Sequence, residues 1–290
     1  MRVIVLGASG MLGHKLLQRL RGTFDVAGTI RTNKPDATVS RALADVKLYP
    51  SVDAARLDSM AESIDDWRAD VVLNCVGIVK QSKAASNPIP SIAINALLPH
   101  QLAQLTAARN AKLIHFSTDC VFSGKRGRYT EDDFPDPVDL YGRTKLLGEI
   151  STHGALTLRT SIIGHELRGH LGLIDWFLNQ RGCRTRGFAN ARFTGLTTAA
   201  LAELVAEIIQ SQVPLEGLWH VSSDPVSKFE LLQIVNRVYG LDVQLARDEA
   251  FVCDRSLDSS RFRARTGWRP QSWERMIALM HAEARSYEGS

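Results

Sequence analysis

The chain has 290 residues, of which 44% are hydrophobic and 23% charged, and its formal net charge is +4. This length and apolar content can bury a large core, in one composite domain or in two closely joined ones. The small, scattered charge argues against nucleic-acid binding, and no apolar run is long enough for a membrane span or a signal-peptide core. Four cysteines without metal-ligand spacing favour reduced thiols, a cytoplasmic location and no metal site.

The chain begins with a strand–turn–helix pattern. An apolar run at residues 1–6 predicts a buried parallel strand, and the leucine spacing over residues 11–20 predicts a helix. In the turn between them, Gly7 permits a tight bend, Gly10 lets the backbone approach a pyrophosphate and Gly13 lets the helix pack on the strand. The helix start attracts phosphate. The pattern predicts a dinucleotide site, with a glycine turn that binds nothing as the alternative. Its residues are Gly7, Ser9, Gly10, Met11, Leu12 and Gly13.

The second strand, within residues 24–32, bears on the choice of nicotinamide cofactor. An acidic residue at its carboxyl end would bond the ribose 2′-hydroxyl of NAD, but Asp25 lies at the opposite end. Arg31 follows the strand instead, and a guanidinium pairs bidentately with a phosphate. We therefore expect NADPH, with NADH tolerated. The alternative is that Arg31 is a solvated loop cation.

Three later segments supply further candidate cofactor contacts. Asp53, after the third predicted strand, is a candidate for the adenine. A buried-strand pattern at residues 69–77 ends in small residues that leave room for a cofactor, namely Cys75, Val76 and Gly77. Asn95 lies on a helix predicted over residues 92–108. For both Asp53 and Asn95 the alternative is a hydrogen bond to local backbone.

The fifth predicted strand, residues 111–116, leads directly to Thr118, whose hydroxyl can hydrogen-bond a substrate carbonyl. Tyr141 and Lys145 follow, one helical turn apart and on one helix face. Because a nearby ammonium and the positive charge of an oxidised nicotinamide both favour the phenolate, the pKa of Tyr141 is expected to be lowered and tuned for a general acid near neutral pH. Lys145 would also bond the nicotinamide ribose. The alternative for the pair is an ordinary helix face.

Strand and helix patterns alternate up to about Gly164, which is typical of a Rossmann-type, doubly wound parallel sheet in the α/β class. Beyond it, one helix and one strand are predicted to return to the main sheet, at residues 198–210 and 217–221. Two more helices are predicted to build a smaller C-terminal lobe, at residues 229–239 and 273–284. The expected NAD(P)-binding domain comprises residues 1–164 and 195–222. The expected substrate-binding lobe comprises residues 165–194 and 223–290.

Several of these segments resemble the extended short-chain dehydrogenase/reductase superfamily, and more narrowly its dTDP-4-dehydrorhamnose reductase group. The segments are residues 7–13, 117–124, 129–133, 141–149 and 193–198, and the likeness runs nearly end to end. The resemblance implies that Thr118, Tyr141 and Lys145 are catalytic. It also implies reduction of the 4-keto group of a nucleotide-linked 6-deoxysugar.

Two positions depart from that group. Its members typically carry an aromatic residue after Thr118-Asp119 and a tryptophan soon after a Leu-Arg-Thr-Ser strand, whereas this chain has Cys120 and isoleucines there. Residues 74–81 and 256–262 are similar to a branch found with polysaccharide genes. Members of that branch are thought to act on UDP-linked 2-acetamido-2,6-dideoxy-4-hexuloses. The resemblance therefore favours that substrate over dTDP-4-dehydrorhamnose, in cell-surface polysaccharide biosynthesis.

The substrate is expected to lie between the sheet and the smaller lobe. Asp119 and Cys120 are candidates to line the sugar pocket. The diphosphate attracts cations, and the candidates to contact it are Arg186, Arg192 and Arg261. The candidates to stack on a uracil base are Trp176 and Phe188. His165 and His170 are interpreted as loop residues, because Tyr141 is already available as the acid.

Two other function classes stay open from the sequence alone. A nucleotide-sugar epimerase or dehydratase could use the same fold, and in a dehydratase Asp119 would be the acidic residue beside Thr118. A non-catalytic regulatory subunit could keep the dinucleotide site. Intact Thr118, Tyr141 and Lys145 argue against that role, since a binding module needs none of them. A homodimer is compatible with the sequence, which does not determine the oligomeric state.

Overall fold

The computed structural model describes residues 1–152, 154–211 and 213–284. Residues 285–290, the end of the predicted lobe, lie outside the described residues. In chain order the strands are β1 (Arg2–Leu6), β2 (Asp25–Thr29), β3 (Lys47–Tyr49), β4 (Val71–Asn74), β5 (Lys112–Thr118), β6 (Ala155–Thr160), β7 (Ile162–Ile163), β8 (Arg184–Phe193), β9 (Leu196–Thr197), β10 (Gly217–His220), β11 (Val226–Ser227) and β12 (Gln244–Asp254).

The helices between these strands vary from one turn to more than three. They are α1 (Met11–Leu20), α2 (Ala37–Ala42), α3 (Leu57–Trp67), α4 (Pro88–Ser91), α5 (Leu98–Ala107), α6 (Leu140–Leu147), α7 (Leu173–Leu178), α8 (Thr198–Gln210), α9 (Lys228–Tyr239), α10 (Ser260–Thr266) and α11 (Trp273–Ala284). Short 3₁₀ turns lie at Lys83–Ser86 and Asp119–Val121. Over the described residues, no helix combines the length and the apolar character that a membrane crossing requires.

Seven strands form a parallel sheet in the order β10-β6-β5-β4-β1-β2-β3. The strand order reverses between β1 and β4, and open α/β sheets bind ligands outside the carboxyl ends of strands at such a point. The predicted Rossmann-type sheet is confirmed. The strand expected near residue 217 does return to it, as β10 beside β6.

Both faces of the sheet are covered, which explains why its strands are apolar without interruption. In β1, Val3 and Val5 belong to one buried cluster, whereas Ile4 and Leu6 belong to another. Successive side chains of a strand point to opposite faces, so this alternation distributes one apolar run between two cores. The first core includes leucines of α1 and α8, and the second includes residues of α3 and α5.

The helix predicted over residues 92–108 has a more complex start than expected. It is preceded by α4, and Ile92–Leu97 forms a π-helical segment that continues into α5. Pro99, in the first turn of α5, has no N–H to donate to the carbonyl of Asn95, four residues earlier. The Leu98 N–H donates to the Ala93 carbonyl, which is five residues back, the spacing of a π-helix. Single π-helical turns inside α-helices are frequent at functional sites.

A second, smaller sheet has the order β11-β8-β12. β12 runs parallel to β8, and β11 pairs with β8 in the opposite direction. After β12 the chain returns to the loop that follows β5, where Tyr129 and Leu257 form a β-bridge. The smaller sheet is thereby attached to the carboxyl end of β5, one of the strands at which the candidate active site lies.

Candidate active site

The turn between β1 and α1 has the geometry of a phosphate-binding loop. Gly7 has a φ of +85°, and its N–H donates to Thr29 Oγ1 over 3.1 Å. A Cβ on Gly13 would lie 2.2 Å from the Gly7 carbonyl oxygen, so only glycine allows this approach. No side chain caps the first turn of α1, whose N–H groups are thus available to an anion. The turn therefore fits a dinucleotide pyrophosphate.

The close approach at Gly13 leads to a test of this loop. Gly13→Ala is expected to lower the free energy of unfolding by about 1–3 kcal/mol and to weaken NADPH binding, because the added methyl group must push the Gly7 backbone away. Gly22→Ala is the matched control, since a Cβ there meets nothing within 4 Å. Equal NADPH affinities for the two variants would contradict this description of the loop.

The carboxyl end of β4 lies directly against this turn. The Cys75 N–H donates to the Leu6 carbonyl over 3.0 Å, and a Cβ on Gly7 would lie 3.2 Å from Val76 Cγ2. Burial raises the pKa of the Cys75 thiol well above its usual range, so the thiol is uncharged at neutral pH and is not activated as a nucleophile. The structure thus brings Cys75 and Val76 to the glycine turn, as the sequence predicted.

Asn95 acts within the chain. Its side-chain oxygen accepts from the Ile78 N–H over 2.9 Å, and its amide nitrogen donates to the Ile78 carbonyl and to Thr144 Oγ1 over 3.0 and 3.3 Å. A Cβ on Gly77 would lie 3.4 Å from the same side-chain oxygen. These contacts connect the loop after β4 to α6. They favour the alternative in which Asn95 bonds backbone, here that of Ile78, over a direct cofactor contact.

The two candidate residues for the adenosine end differ in their surroundings. Asp53 Oδ1 accepts from the Ala55 N–H over 3.0 Å, which is the local backbone alternative. Arg31 is exposed at the carboxyl end of β2, and within residues 1–152, 154–211 and 213–284 its guanidinium has no hydrogen bond or ion pair. Arg31 therefore lies free at the place where the sequence pattern locates the adenosine ribose.

Thr118 and Tyr141 meet at the end of β5. Asp139 caps α6 by accepting from the Gly142 N–H over 2.8 Å. A Cβ on Gly142 would lie 2.2 Å from the Cys120 carbonyl oxygen, so glycine lets the start of α6 pack on the turn after Thr118. The Thr118 hydroxyl lies close enough to the Tyr141 phenol to act on its pKa. The predicted hydroxyl pair is thus assembled by a helix cap and one glycine contact.

The phenol of Tyr141 has its pKa shifted in the direction opposite to the expected one. Burial raises it well above the ordinary value of 10, the neighbouring Cys120 and Asp119 add to the rise, and only the Thr118 hydroxyl opposes it. The expectation of a lowered pKa was therefore wrong, because burial of the phenol dominates. A raised pKa keeps the phenol protonated at neutral pH. That is the form that can donate a proton to a carbonyl oxygen.

Lys145 extends from α6 to β5, and its ammonium is buried there. Its Nζ donates to the Phe116 carbonyl over 2.6 Å, and burial lowers its pKa to about 8, against the effects of Glu149 and Cys75. The ammonium is thus charged at neutral pH and close to the end of β4. This position is compatible with a contact to a nicotinamide ribose.

The two pKa shifts predict an alkaline limit for turnover. If the Lys145 ammonium is required, kcat/KM stays constant below pH 8 and falls as pH rises through the pKa of about 8. Tyr141 would add no limb until higher pH, because its pKa is raised. A pH profile of the wild type and of Lys145→Arg, which keeps the cation at all these pH values, checks this. A limb that persists near pH 8 in Lys145→Arg would assign it to another group.

Arg255 is a candidate that the sequence did not single out. It follows β12, and its Nε donates to the Phe122 carbonyl over 2.8 Å while Nη1 lies 3.8 Å from Cys120 Sγ. Asp119 is buried beside it and bonds the Thr118 hydroxyl over 3.2 Å. Burial raises the pKa of Asp119, and Arg255 acts in the opposite direction. No sequence motif marks Arg255, since the fold alone brings it from the smaller sheet.

The residues predicted to contact the diphosphate and the base have the following surroundings within the chain. Arg186 pairs with Asp248 over 3.3 Å. Arg192 is exposed on β8, and the Arg261 guanidinium lies 4.9 Å from the ring centre of Trp219 on β10. Phe188 packs on Phe251, and Trp176 on α7 is 39% exposed. In the described part of the chain, none of these five residues is hydrogen-bonded or ion-paired to Thr118, Cys120 or Tyr141.

His165 and His170 are loop residues, as interpreted, but they belong to a cluster. Their Nδ1 atoms lie 3.2 and 3.1 Å from the Asp175 carboxylate, and His165 Nε2 lies 2.9 Å from the Tyr239 hydroxyl. A cleft of about 670 Å³ adjoins this cluster and not Tyr141. Among the residues described, no group of histidine, cysteine and acidic side chains could hold a metal ion.

Comparison with known proteins gives one family over nearly the whole chain. The family model described as RmlD substrate binding domain matches residues 1–285. A dTDP-4-dehydrorhamnose reductase of Mycolicibacterium smegmatis is 33% identical over 265 residues, 85% of this chain and 72% of its own. A Haloferax volcanii protein named "Probable low-salt glycan biosynthesis reductase" is 30% identical over 235 residues, 77% of this chain and 75% of its own.

A solved structure has the same fold. It is the dTDP-4-dehydrorhamnose reductase of Bacillus anthracis in complex with NADP, which is 20% identical to this chain. The TM-score is 0.79, and the match covers 97% of this chain and 99% of that one.

Proposed function

Because this chain belongs to the RmlD substrate binding domain family, we propose that it reduces the 4-keto group of a nucleotide-linked 6-deoxysugar, with NADPH as preferred donor and NADH as a possible one. The chain is an NAD(P)-dependent oxidoreductase of the nucleotide-sugar reductase type. The observation that carries the proposal is the pairing of a protonated Tyr141 with Thr118, beside a turn built for a dinucleotide.

The chain's own residues divide the work of binding and proton transfer. Residues 7–13 hold the pyrophosphate through N–H groups of the first turn of α1. The bound nicotinamide supplies the hydride. Tyr141 donates its phenolic proton to the C4 oxygen as negative charge develops there, and Thr118 hydrogen-bonds the same oxygen. Lys145 holds the nicotinamide ribose and places a positive charge near the reacting groups.

The proposed cofactor contacts lie after the carboxyl ends of neighbouring strands of the main sheet, namely β1, β4 and β2. The glycine turn is joined by Cys75, Val76 and Gly77 at the end of β4. Arg31 is proposed for the 2′-phosphate, and Asp53 and Asn95 are proposed as residues that order the surrounding loops. Support comes from the contacts of Gly7 with Val76 and of Asn95 with Ile78.

Arg31 makes the cofactor preference testable. Arg31→Ala is expected to weaken NADPH binding about 10- to 100-fold, because a guanidinium–phosphate contact is a charge-assisted, bidentate one. The affinity for NADH, which has no 2′-phosphate, should stay unchanged and is the internal control. Fluorescence titration of both cofactors measures the difference. Equal losses for the two cofactors would assign Arg31 a structural role.

The finer substrate proposal is a UDP-linked 2-acetamido-2,6-dideoxy-4-hexulose, used in cell-surface polysaccharide biosynthesis in the cytoplasm. It is supported by the similarity of residues 74–81 and 256–262 to the branch described above, and by Cys120 where the reductase group has an aromatic residue. A smaller side chain at that position enlarges the sugar pocket, which suits a substrate that carries an acetamido group. The alternative substrate is dTDP-4-dehydrorhamnose.

The experiment is a substrate panel. Purified protein, NADPH and enzymatically prepared UDP- or dTDP-linked 4-keto-6-deoxysugars are mixed, and absorbance at the nicotinamide band is followed. Faster oxidation with the UDP-linked 2-acetamido sugar supports the finer proposal, and faster oxidation with dTDP-4-dehydrorhamnose replaces it with the alternative. NADPH binding without oxidation of any of these sugars would contradict the proposed reaction and favour a regulatory role.

A further inference from the structure

A cation that follows the smaller sheet lies beside the turn after Thr118. Arg255 is half-buried, and its Nε and Nη1 atoms face the Phe122 carbonyl and Cys120 Sγ. Cys120 follows Thr118 by two residues, and its own N–H donates to Thr118 Oγ1 over 3.1 Å. Cys120 therefore lies between the Arg255 guanidinium and the Thr118 hydroxyl.

Two glycines make room for this approach. Gly124 has a φ of +86°, and a Cβ there would lie 2.6 Å from Cys253 Sγ and 3.0 Å from Arg255 Cγ. A Cβ on Gly127 would lie 2.3 Å from the Asp254 carboxylate. The Asp254 N–H also donates to the Gly124 carbonyl over 2.7 Å. The contact between the segment after β12 and the loop after β5 thus fixes the Arg255 backbone next to the site.

The charge of Arg255 is not neutralised by a direct ion pair. Across the described ranges, no carboxylate lies within 4.0 Å of its guanidinium. The acidic groups that act on it are Asp119 and Asp139. Asp119 bonds Thr118, and Asp139 pairs with Lys80 over 2.7 Å. A half-buried guanidinium without a carboxylate partner favours an anionic ligand.

We propose that Arg255 binds the diphosphate of the nucleotide-sugar substrate, and this inference rests on the proposed function. The diphosphate is attached to C1 of the sugar, across the ring from the C4 carbonyl to which Tyr141 and Thr118 hydrogen-bond in the proposed reaction. Because Arg255 contacts Cys120, which bonds Thr118, its guanidinium is placed to reach a diphosphate on a sugar whose C4 oxygen is bound by Thr118. Arg255 thereby takes the role that the sequence suggested for Arg192 or Arg261.

The test measures binding of free nucleotides to the full chain by calorimetry, without turnover. Arg255→Ala is expected to weaken UDP and dTDP binding about 10- to 100-fold, as the loss of a charge-assisted contact does, with smaller changes for uridine and thymidine. Arg255→Lys should recover part of the loss. Arg265→Ala is the control, because Arg265 is exposed and its described bond is a 3.5 Å contact to the Pro214 carbonyl. Unchanged NADPH affinity shows that each variant is folded.

Binding and turnover separate this inference from the proposed reaction. If UDP or dTDP binding depends on Arg255 but none of the 4-keto sugars leads to NADPH oxidation, the diphosphate contact is supported and the reductase is contradicted. NADPH oxidation by the wild type, with diphosphate binding and KM unchanged in Arg255→Ala, would support the reductase and overturn the contact. Wild-type protein that binds neither UDP nor dTDP would also overturn it.

Discussion

Tyr141→Phe is expected to lower kcat by about 10³-fold and to leave NADPH binding intact. Proton donation by a positioned side chain contributes about 10²- to 10⁴-fold to rate, and the raised pKa of Tyr141 makes its phenol the protonated donor of the site. The phenol interacts with the neighbouring Thr118 hydroxyl, so its removal should have little effect on the fold. Steady-state kinetics and a cofactor titration measure the two quantities separately.

The matched control for this variant is Tyr49→Phe. The Tyr49 hydroxyl donates to the Asp66 carboxylate at the surface over 2.5 Å, and Tyr49 lies on β3, at the edge of the main sheet. Its loss should change neither kcat nor NADPH affinity. Near-normal turnover of Tyr141→Phe would remove Tyr141 from the role of proton donor. Loss of NADPH binding in that variant would point to a structural effect instead.

Glu149→Ala is expected to lower the free energy of unfolding by about 3–5 kcal/mol, because it leaves a buried charge without its partner. The Arg159 and Glu149 side chains are 4% and 10% exposed, and two 2.7 Å hydrogen bonds join guanidinium to carboxylate. Ser117 also donates to Glu149 over 2.6 Å, and His220 lies 3.1 Å from Arg159. This network connects β5, β6 and β10 to the residues that follow α6. Its loss should therefore also lower kcat, by displacing the helix that carries the proton donor.

Asp65→Ala is the control for the buried pair. Asp65 forms a similar two-bond contact with Arg109, at 2.5 and 2.7 Å, but its side chain is 53% exposed. Exposed ion pairs contribute about 0–1 kcal/mol, so this variant should unfold at nearly the wild-type denaturant concentration. Equal losses in the two variants would contradict the assignment of the stability difference to burial.

The parallel sheet could be predicted because its strands are buried on both faces. An uninterrupted run such as residues 1–6 permits few other structures, and the following helix shows leucines at helical spacing. The smaller sheet was missed for the opposite reason. β8 alternates arginines with residues such as Gly187 and Ala189, and β12 is mostly exposed, so neither strand has a strong apolar pattern.

The chemical groups of the site could be predicted, but their environments could not. Thr118, Tyr141 and Lys145 follow from their order along the chain and their helical spacing. The pKa direction of Tyr141 depends on burial by neighbours that are distant in sequence, whereas the expected direction rested on nearby positive charges. Arg255 depends on the contact between the segment after β12 and the loop at Gly124, which is a property of the tertiary structure.

Isotope transfer from NADPH that carries deuterium at both C4 positions of the nicotinamide distinguishes a reductase from enzymes that regenerate their cofactor. We expect one deuterium at C4 of the sugar and one NADP⁺ released for each molecule of product. An epimerase or a dehydratase regenerates its cofactor within each cycle. Product without deuterium at C4, or formed without an equivalent of NADP⁺, would therefore contradict the reductase.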